Sequence, residues 1–294
     1  MIDKLEMFIA LARERHFGRA AEACGVTQPT LSAGIKQLEE QLGVMLVWRG
    51  SRYGGLTPEG ARVLERARTI VADTRALREE MRAVKAGLSG DLRIAAIPTA
   101  LAAVSVLTEP LAARHPKIRV TVLSRTSAEI LQMLDDLQID AGLTYLDNEP
   151  LGRVTALPLY AEHYNLLVRA DDPLAARGAL TWAEAAGLPL CLLTPDMQNR
   201  RIVDRHMAEA GATAEPRLES NSIITLIAHV QSGGWATILP RRSAAPFLDG
   251  GGLVALPLTA PEAEHQVGLV VPHREPHTPV LNALIDAARR AAFR

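Results

Sequence analysis

The sequence predicts an α/β protein in three parts: a winged helix-turn-helix at the N-terminus, one long helix, and a larger region of two similar α/β halves. Three observations predict it. Two short helical patterns separated by Gly25 open the chain. A row of apolar residues then repeats every seven positions from Val63 to Val84. From Leu92 onward, strand-like and helix-like segments alternate, and the alternation recurs in a second half, the mark of mostly parallel sheets.

Composition agrees with such an assembly. A chain of 294 residues corresponds to about two domains, and 48% hydrophobic residues are enough for real cores. The net charge of −1 is unevenly spread. Up to Leu88 there are 14 Lys and Arg against 11 Asp and Glu; the remainder carries 18 against 22. A modestly basic module joined to a mildly acidic one fits this, although charge alone does not establish nucleic-acid binding. The two cysteines, Cys24 and Cys191, are too few and too far apart for a disulfide framework or a zinc motif. The opening MIDKLEMF is no signal peptide, and no apolar run reaches the roughly 18 residues of a membrane span. A cytoplasmic protein with no membrane contact is expected.

In chain order, Leu5, Phe8, Ile9 and Ala12 form one stripe on a helix over residues 2–15. A short helix follows over 18–24, and Gly25–Val26 break it. The next helix spans about Gln28 to Gln41. Thr27 is suited to cap it, and Pro29 fits its first turn, where no intrahelical donor is lost. Leu31, Ile35, Leu38 and Leu42 mark a buried face; Gln28, Thr30, Ala33, Lys36 and Gln37 lie opposite. Two short helices around a glycine turn, the second polar at its start, make a helix-turn-helix. Residues 44–56 read as two short strands and a turn, a wing carrying Arg49 and Arg52, which suit phosphates or a minor groove.

Pro58 and Glu59 start a helix that runs to about Ala86, ended by Gly87 and Gly90. Val63, Ile70, Leu77 and Val84 recur by seven, as do Ala67, Thr74, Met81 and Leu88. This is a heptad seam. So small a domain cannot cover it, so it predicts a dimerisation helix using Val63, Ile70, Leu77, Met81 and Val84; packing against its own domain is the alternative. Strands are then expected over 92–97, 118–124, 141–145, 154–159 and 163–169, with helices over 101–114 and 128–137. The second half repeats the pattern: strands over 188–193, 216–219, 235–238, 254–258 and 265–271, and helices over 199–210, 222–231 and 280–292.

The string AAEACGVTQPTLSAGIKQLEEQLGVMLVWRG, followed by GLTPEG, carries a resemblance. Ala20–Ala21, Gln28–Pro29, Leu31–Ser32, Leu38–Glu39, Leu42–Gly43 and Leu56 to Gly60, at these spacings, resemble the N-terminal winged helix-turn-helix of the LysR-type transcriptional regulators. The resemblance implies a DNA-binding domain over 1–57, a linker helix over 58–88 and an effector domain over 89–294, like a periplasmic solute-binding protein. Its subdomain I would take 89–161 and 268–294 and its subdomain II 162–267, with crossings near Ala161 and Val267. Implied partners are operator DNA, a small effector, further copies in a homodimer or homotetramer, and RNA polymerase.

On this reading Gln28, Thr30 and Ser32 meet base edges in the major groove, where Gln is a natural reader of adenine. Pro29 would pack on a thymine methyl or sugar, and Lys36 would reach a phosphate. Ala33–Gly34 departs from the family, where a longer polar or basic residue is common, so base contacts from that turn are in doubt. The effector would lie in the cleft between the halves, at carboxyl ends of strands where helix amides point inward. The candidates are Pro98, Thr99 and Ala100; Ser124, Thr126 and Ser127; Thr144 with Tyr145; Thr194, Gln198 and Asn199; and Asn221 with Ser222. Each of these residue types is also a standard helix cap. With only 4% aromatics in the chain, a compact anion such as a short carboxylate is expected. Arg200 and Arg201 would pair with it or stay as surface charges. Some family members sense peroxide through a cysteine pair, but Cys191 sits between Leu190 and Leu192 and reads as a buried thiol. The eight histidines do not cluster in sequence. His273 and His277 flank Pro276, which argues against a helical metal pair. No catalytic residue, metal or cofactor is expected. A solute-binding protein without a DNA role would lack the first 88 residues, and an α/β enzyme would show a nucleotide loop or nucleophile elbow; neither fits.

Overall fold

The computed structural model describes residues 1–48, 53–248, 250 and 252–291. Helices α1 (Ile2–Glu14), α2 (Phe17–Ala23) and α3 (Gln28–Leu42) pack as the N-terminal unit, and α4 (Pro58–Ala86) leaves it as one helix of 29 residues. Phe8, Leu11, Leu31 and Leu38 are fully buried at its centre, joined by Ala67 and Val71 of α4. Each large side chain so buried contributes about 1.5–3 kcal/mol.

The LTPEG stretch has a physical reason for each residue. The Thr57 hydroxyl accepts from Gly60 N at 2.8 Å, capping α4, and donates to Met45 O at 2.6 Å. Pro58 occupies the first turn. Gly60 lies so close to Leu46 that a Cβ would stand 2.0 Å from its carbonyl oxygen. Buried Glu39 accepts from Leu46 N and Val47 N, pinning the same segment from the α3 side. The wing differs from expectation: instead of two strands, the described residues show one antiparallel bridge, Val47 to Leu56. Arg49 and Arg52 lie outside the described residues.

The remainder comprises β1 (Gly90–Ala96), α5 (Leu101–Arg114), β2 (Ile118–Ser124), α6 (Ser127–Asp135), β3 (Ala141–Tyr145), β4 (Val154–Arg169), β5 (Leu180–Thr181), α7 (Trp182–Ala186), β6 (Cys191–Leu193), α8 (Gln198–Glu209), β7 (Leu218–Ser220), α9 (Ile223–Ser232), β8 (Thr237–Pro240), α10 (Arg241–Ala244), β9 (Leu253–Thr259), β10 (Glu264–Pro272) and α11 (Pro279–Arg290). The main sheet runs β2-β1-β3-β10-β4-β9-β5, with β8 also on β4. In the first half β1 is parallel to β2 and β3, and β10 is antiparallel to β3. In the second half β8 and β9 flank the end of β4, and a bridge from Leu190 to Ala236 brings in the β6–β7 pair.

Two expected strands, 154–159 and 163–169, are one. β4 continues through the boundary: Val154 to His163 pair with β10, and from Tyr164 the strand pairs with β8 and β9. Pro158, inside the first of the expected strands, pairs with Gly268 beside a register shift between Val267 and Gly268, where a missing N–H is tolerated. Short α7 and α10 were not anticipated; α7 rests on a capping box between Thr181 and Glu184.

α6 also touches the N-terminal unit. Just past its end, Asp136 accepts from the Arg68 guanidinium of α4, Leu137 O accepts from Arg75 at 3.2 Å, and the Leu137 side chain packs on the core beneath α1. Among the described residues no helix is long and apolar enough to cross a membrane.

Candidate DNA-reading face and effector cleft

Helix α3 sorts its residues as its periodicity requires. Leu31, Ile35 and Leu38 are buried, while Gln28, Pro29, Thr30, Ser32, Ala33 and Lys36 are all exposed on the outer side. Thr27 caps the helix, and its hydroxyl meets that of Thr30 at 2.8 Å. Lys36 reaches Glu40 at 3.8 Å, both well exposed, a contact worth under about 1 kcal/mol that leaves the ammonium available. Gly34 corrects the sequence reading. It is buried and faces α1, where a Cβ would stand 2.7 Å from Met7 Sδ. The glycine is a packing requirement of the inner face and removes nothing from the outer one.

On α4 the heptad residues divide. Ala67 is buried in its own unit, whereas Ile70, Leu77, Met81 and Val84 are 40–78% exposed in the single chain. Val63 and Ile70 line a groove of about 530 Å³ with Leu5, Leu42 and Val44. Its own domain thus leaves most of the expected seam open to solvent.

Between the two α/β halves the structure draws several predicted residues together. Thr144 donates to Gln198 at 3.3 Å, and Asn199 donates to the Tyr145 hydroxyl at 3.4 Å, both across the boundary. Thr99, in the short turn over Pro98–Ala100, lies 3.4 Å from the same hydroxyl, and its carbonyl accepts from Ser243 at 2.8 Å. Pro98, Thr99, Ala100, Thr144, Gln198 and Asn199 are all buried. Thr194 Oγ1 is buried with no hydrogen-bond partner. The remaining candidates stand apart. Thr126 caps α6 in a reciprocal box with Glu129; Ser124 and Asn221 are exposed. Ser127 is at the rim, 3.4 Å from both Glu149 and Arg201.

Neither arginine of the pair 200–201 faces this seam as a free cation. Arg200 is buried within its own half, held by Asp204, Glu219 and Leu193 O. Arg201 forms a bidentate bridge to Glu149 at 2.6 and 2.9 Å, which latches α8 to the loop after β3.

Sequence reasoning named Tyr145 but missed the partners that surround it at the centre of the seam. Tyr145 donates to Glu162 at 2.6 Å and accepts from Tyr164 at 3.0 Å, and Tyr160 donates to the other Glu162 oxygen at 3.4 Å. Burial pushes the Glu162 carboxyl up to about 8, against the hydrogen bonds from both tyrosines. The signal was present: Tyr160, Glu162 and Tyr164 alternate along β4 and so share a face. The histidines supply a second correction. His206 and His265 do meet, with Nε2 atoms 2.8 Å apart. No group of three or more metal-binding side chains occurs among the described residues. Cys191 is buried, and that burial lifts its thiol to about 11; Cys24 belongs to the other unit and is also raised by burial.

Comparison with known proteins matches the two parts of the chain to two domain models. The model described as the bacterial regulatory helix-turn-helix protein of the lysR family matches residues 2–61, and the LysR substrate binding domain matches residues 85–292. The chain is 32% identical over 291 residues to the DNA-binding transcriptional dual regulator OxyR of Escherichia coli K12, covering 98% of this chain and 94% of the relative. It is 31% identical over 268 residues to a probable hydrogen peroxide-inducible genes activator of Mycobacterium avium, covering 90% and 86%. A full-length OxyR variant from Pseudomonas aeruginosa superimposes with a TM-score of 0.75 at 26% identity, covering 99% and 98%. The fold is also that of full-length CbnR complexed with its target DNA, with a TM-score of 0.62 at 21% identity, covering 99% and 100%.

Proposed function

The chain belongs to the LysR-type DNA-binding transcriptional regulators, and from that premise we propose that it reads an operator with the start of α3 and is controlled by a compact polar effector in the seam between its two α/β halves. In this reading Gln28, Thr30 and Ser32 meet base edges, Pro29 packs beside them, and Lys36, Arg49 and Arg52 bind the DNA backbone or minor groove. The exposed row Ile70, Leu77, Met81 and Val84, with Val63, pairs two chains; further association gives a tetramer that can bend DNA and meet RNA polymerase. The domain limits are 1–57, 58–88 and 89–294.

The observation that carries the effector reading is the cross-boundary set Thr99, Thr144, Tyr145, Gln198 and Asn199; in the turn before α8 the buried Thr194 hydroxyl has no hydrogen-bond partner. Its groups are hydroxyls, amides and a carboxyl raised toward neutrality, while Arg200 and Arg201 already hold carboxylates. These chemistries favour a small neutral or weakly acidic hydrogen-bonding molecule over a fully ionised carboxylate. The peroxide-inducible relatives make hydrogen peroxide one candidate, as a bound molecule: two buried-shifted thiols in separate units do not support a cysteine pair. Effector binding acts by its differential affinity for open and closed arrangements. Helix α6 supplies the connection, with Ser127 at the latch end and Asp136 against α4 at the other.

Two measurements test this. Binding to the chain's own promoter region should weaken more on specific than on non-specific DNA in Gln28→Ala, by about 1–3 kcal/mol on specific DNA; an equal loss on both removes Gln28 as a base reader. Thermal shift of the full chain with hydrogen peroxide, small neutral polar solutes and short acids should give a hit that Thr99→Leu abolishes while DNA affinity stays. A hit undiminished in Thr99→Leu would place the effector elsewhere.

A further inference from the structure

The His206 and His265 rings meet between α8 of the second half and β10 at the boundary, each side chain only 10% exposed. Each ring's other nitrogen faces a carboxylate: His206 Nδ1 is 3.0 Å from Glu209, and His265 Nδ1 is 3.1 Å from Asp147. An ionised carboxylate only accepts, so both contacts need a proton on Nδ1. The Nε2 contact needs one more. Two neutral imidazoles bring two protons between them, so all three bonds exist together only when the pair holds one extra.

An alternative for the unprotonated pair is built in. Asn148 Nδ2 also lies 3.1 Å from His265 Nδ1. The amide's orientation follows from Arg205, which can only donate and bonds Asn148 Oδ1 at 2.7 Å. Without the extra proton, His265 accepts from Asn148 and donates through Nε2 to His206, which donates to Glu209. One proton thus exchanges a bond to Asn148 for a charge-assisted bond to Asp147, and the latter is the stronger kind. Burial holds His206 below its ordinary value, so the lone pair at the shared contact sits on His206. The surrounding titratable and charged groups are Glu209 and Arg205 from α8, Asp147 from the loop after β3, Glu162 opposite His265 in the β4–β10 register, and the edges of Tyr145 and Tyr164. From α7 comes the uncharged Trp182, 5.1 Å from His206 at 32° between ring planes.

We propose that the His206–His265 pair is a proton-binding site across the joint, and that uptake of one proton tightens the closed arrangement of the two halves. Asp147 and Asn148 belong to the first half and α8 to the second, so the bond gained on protonation strengthens a tie between them. A second proton is excluded, because two N–H groups cannot face each other at this contact. The pair therefore titrates as a coupled unit, one proton at a time. Its consequence for regulation rests on the cleft being the effector site.

The test uses the full chain with Trp48→Phe and Trp235→Phe, so that Trp182 alone reports, since a stacked imidazolium quenches it. Its fluorescence should change reversibly with a one-proton slope between about pH 5 and 8, the range in which histidines titrate. In His265→Gln and in Asp147→Asn the midpoint should fall by about half a unit or more. Hydrogen exchange of α8, corrected for intrinsic rates, should be slower at the acid end in the parent chain and equal at both ends in His265→Gln. A flat titration, a two-proton slope, or midpoints unmoved in both variants would overturn the proposal. None of these readouts needs an effector, so their failure leaves the cleft reading standing, whereas loss of the Thr99-dependent thermal shift would leave the titration intact.

Discussion

Single residues in this chain act mainly through what they leave no room for or what they keep out of water. Gly60 and Gly34 look alike in sequence and differ in consequence. Gly60→Ala places a methyl against the Leu46 carbonyl at 2.0 Å, backbone against backbone, and should cost at least about 3 kcal/mol. Gly34→Ala meets the flexible end of Met7 and regains about 1 kcal/mol of helix propensity, so it should be near neutral. Denaturant unfolding of the two variants separates them; equal losses would contradict the packing account. Glu162 gives a pH prediction. Its folded value of about 8 lies above the ordinary 4.5, so the folded state holds the extra proton between them. Stability is then full below about 4.5 and is lost as pH rises through about 8. Glu162→Gln should flatten the fall in melting temperature between about pH 4.5 and 8; an unchanged slope would remove Glu162 as its source. Of the residues at the seam, Thr99, Thr144, Gln198 and Asn199 were legible as polar groups near helix starts. Tyr145 was legible beside Thr144, but Glu162 was not, because its role depends on β3 and β4 lying on either side of β10.

At the scale of elements, helices were read closely because their ends carry chemistry: Thr57–Pro58 and Gly87 bound α4, and Thr27 with Gly43 bound α3. Strands were harder. The expected gap between 159 and 163 is in fact continuous strand with a bulge, and β6 begins at Cys191 because Leu190 contributes only a bridge. The α4 prediction is quantitative in direction. Leu77, 58% exposed in the single chain, should be covered by a second α4, so Leu77→Glu would shift the oligomer toward monomer in sedimentation at micromolar concentrations. The same substitution should leave the helical circular-dichroism signal nearly unchanged, since the site is open in one chain. An undiminished oligomer would assign the exposed row to another surface.

Over the whole molecule, what sequence could not supply was juxtaposition. His206 and His265, Ser127 and Arg201, and Arg68 and Asp136 are each separated by more than fifty residues and brought together only by the return of β10 and the docking of α6 on α4. The alternation of helix and strand was enough to foresee two halves, but not that one strand would serve both. That strand has a consequence for how the protein is assembled. β4 contributes Leu157 to the first half and Leu166 and Val168 to the second, within one continuous hydrophobic cluster. Neither half owns a complete sheet, because β10 and β9 must both find β4 before either core closes. The effector region should therefore melt in one cooperative step. On a ribosome it cannot mature half by half: the first half, though most of its sequence emerges early, stays unfinished until residues beyond Pro272 have been made.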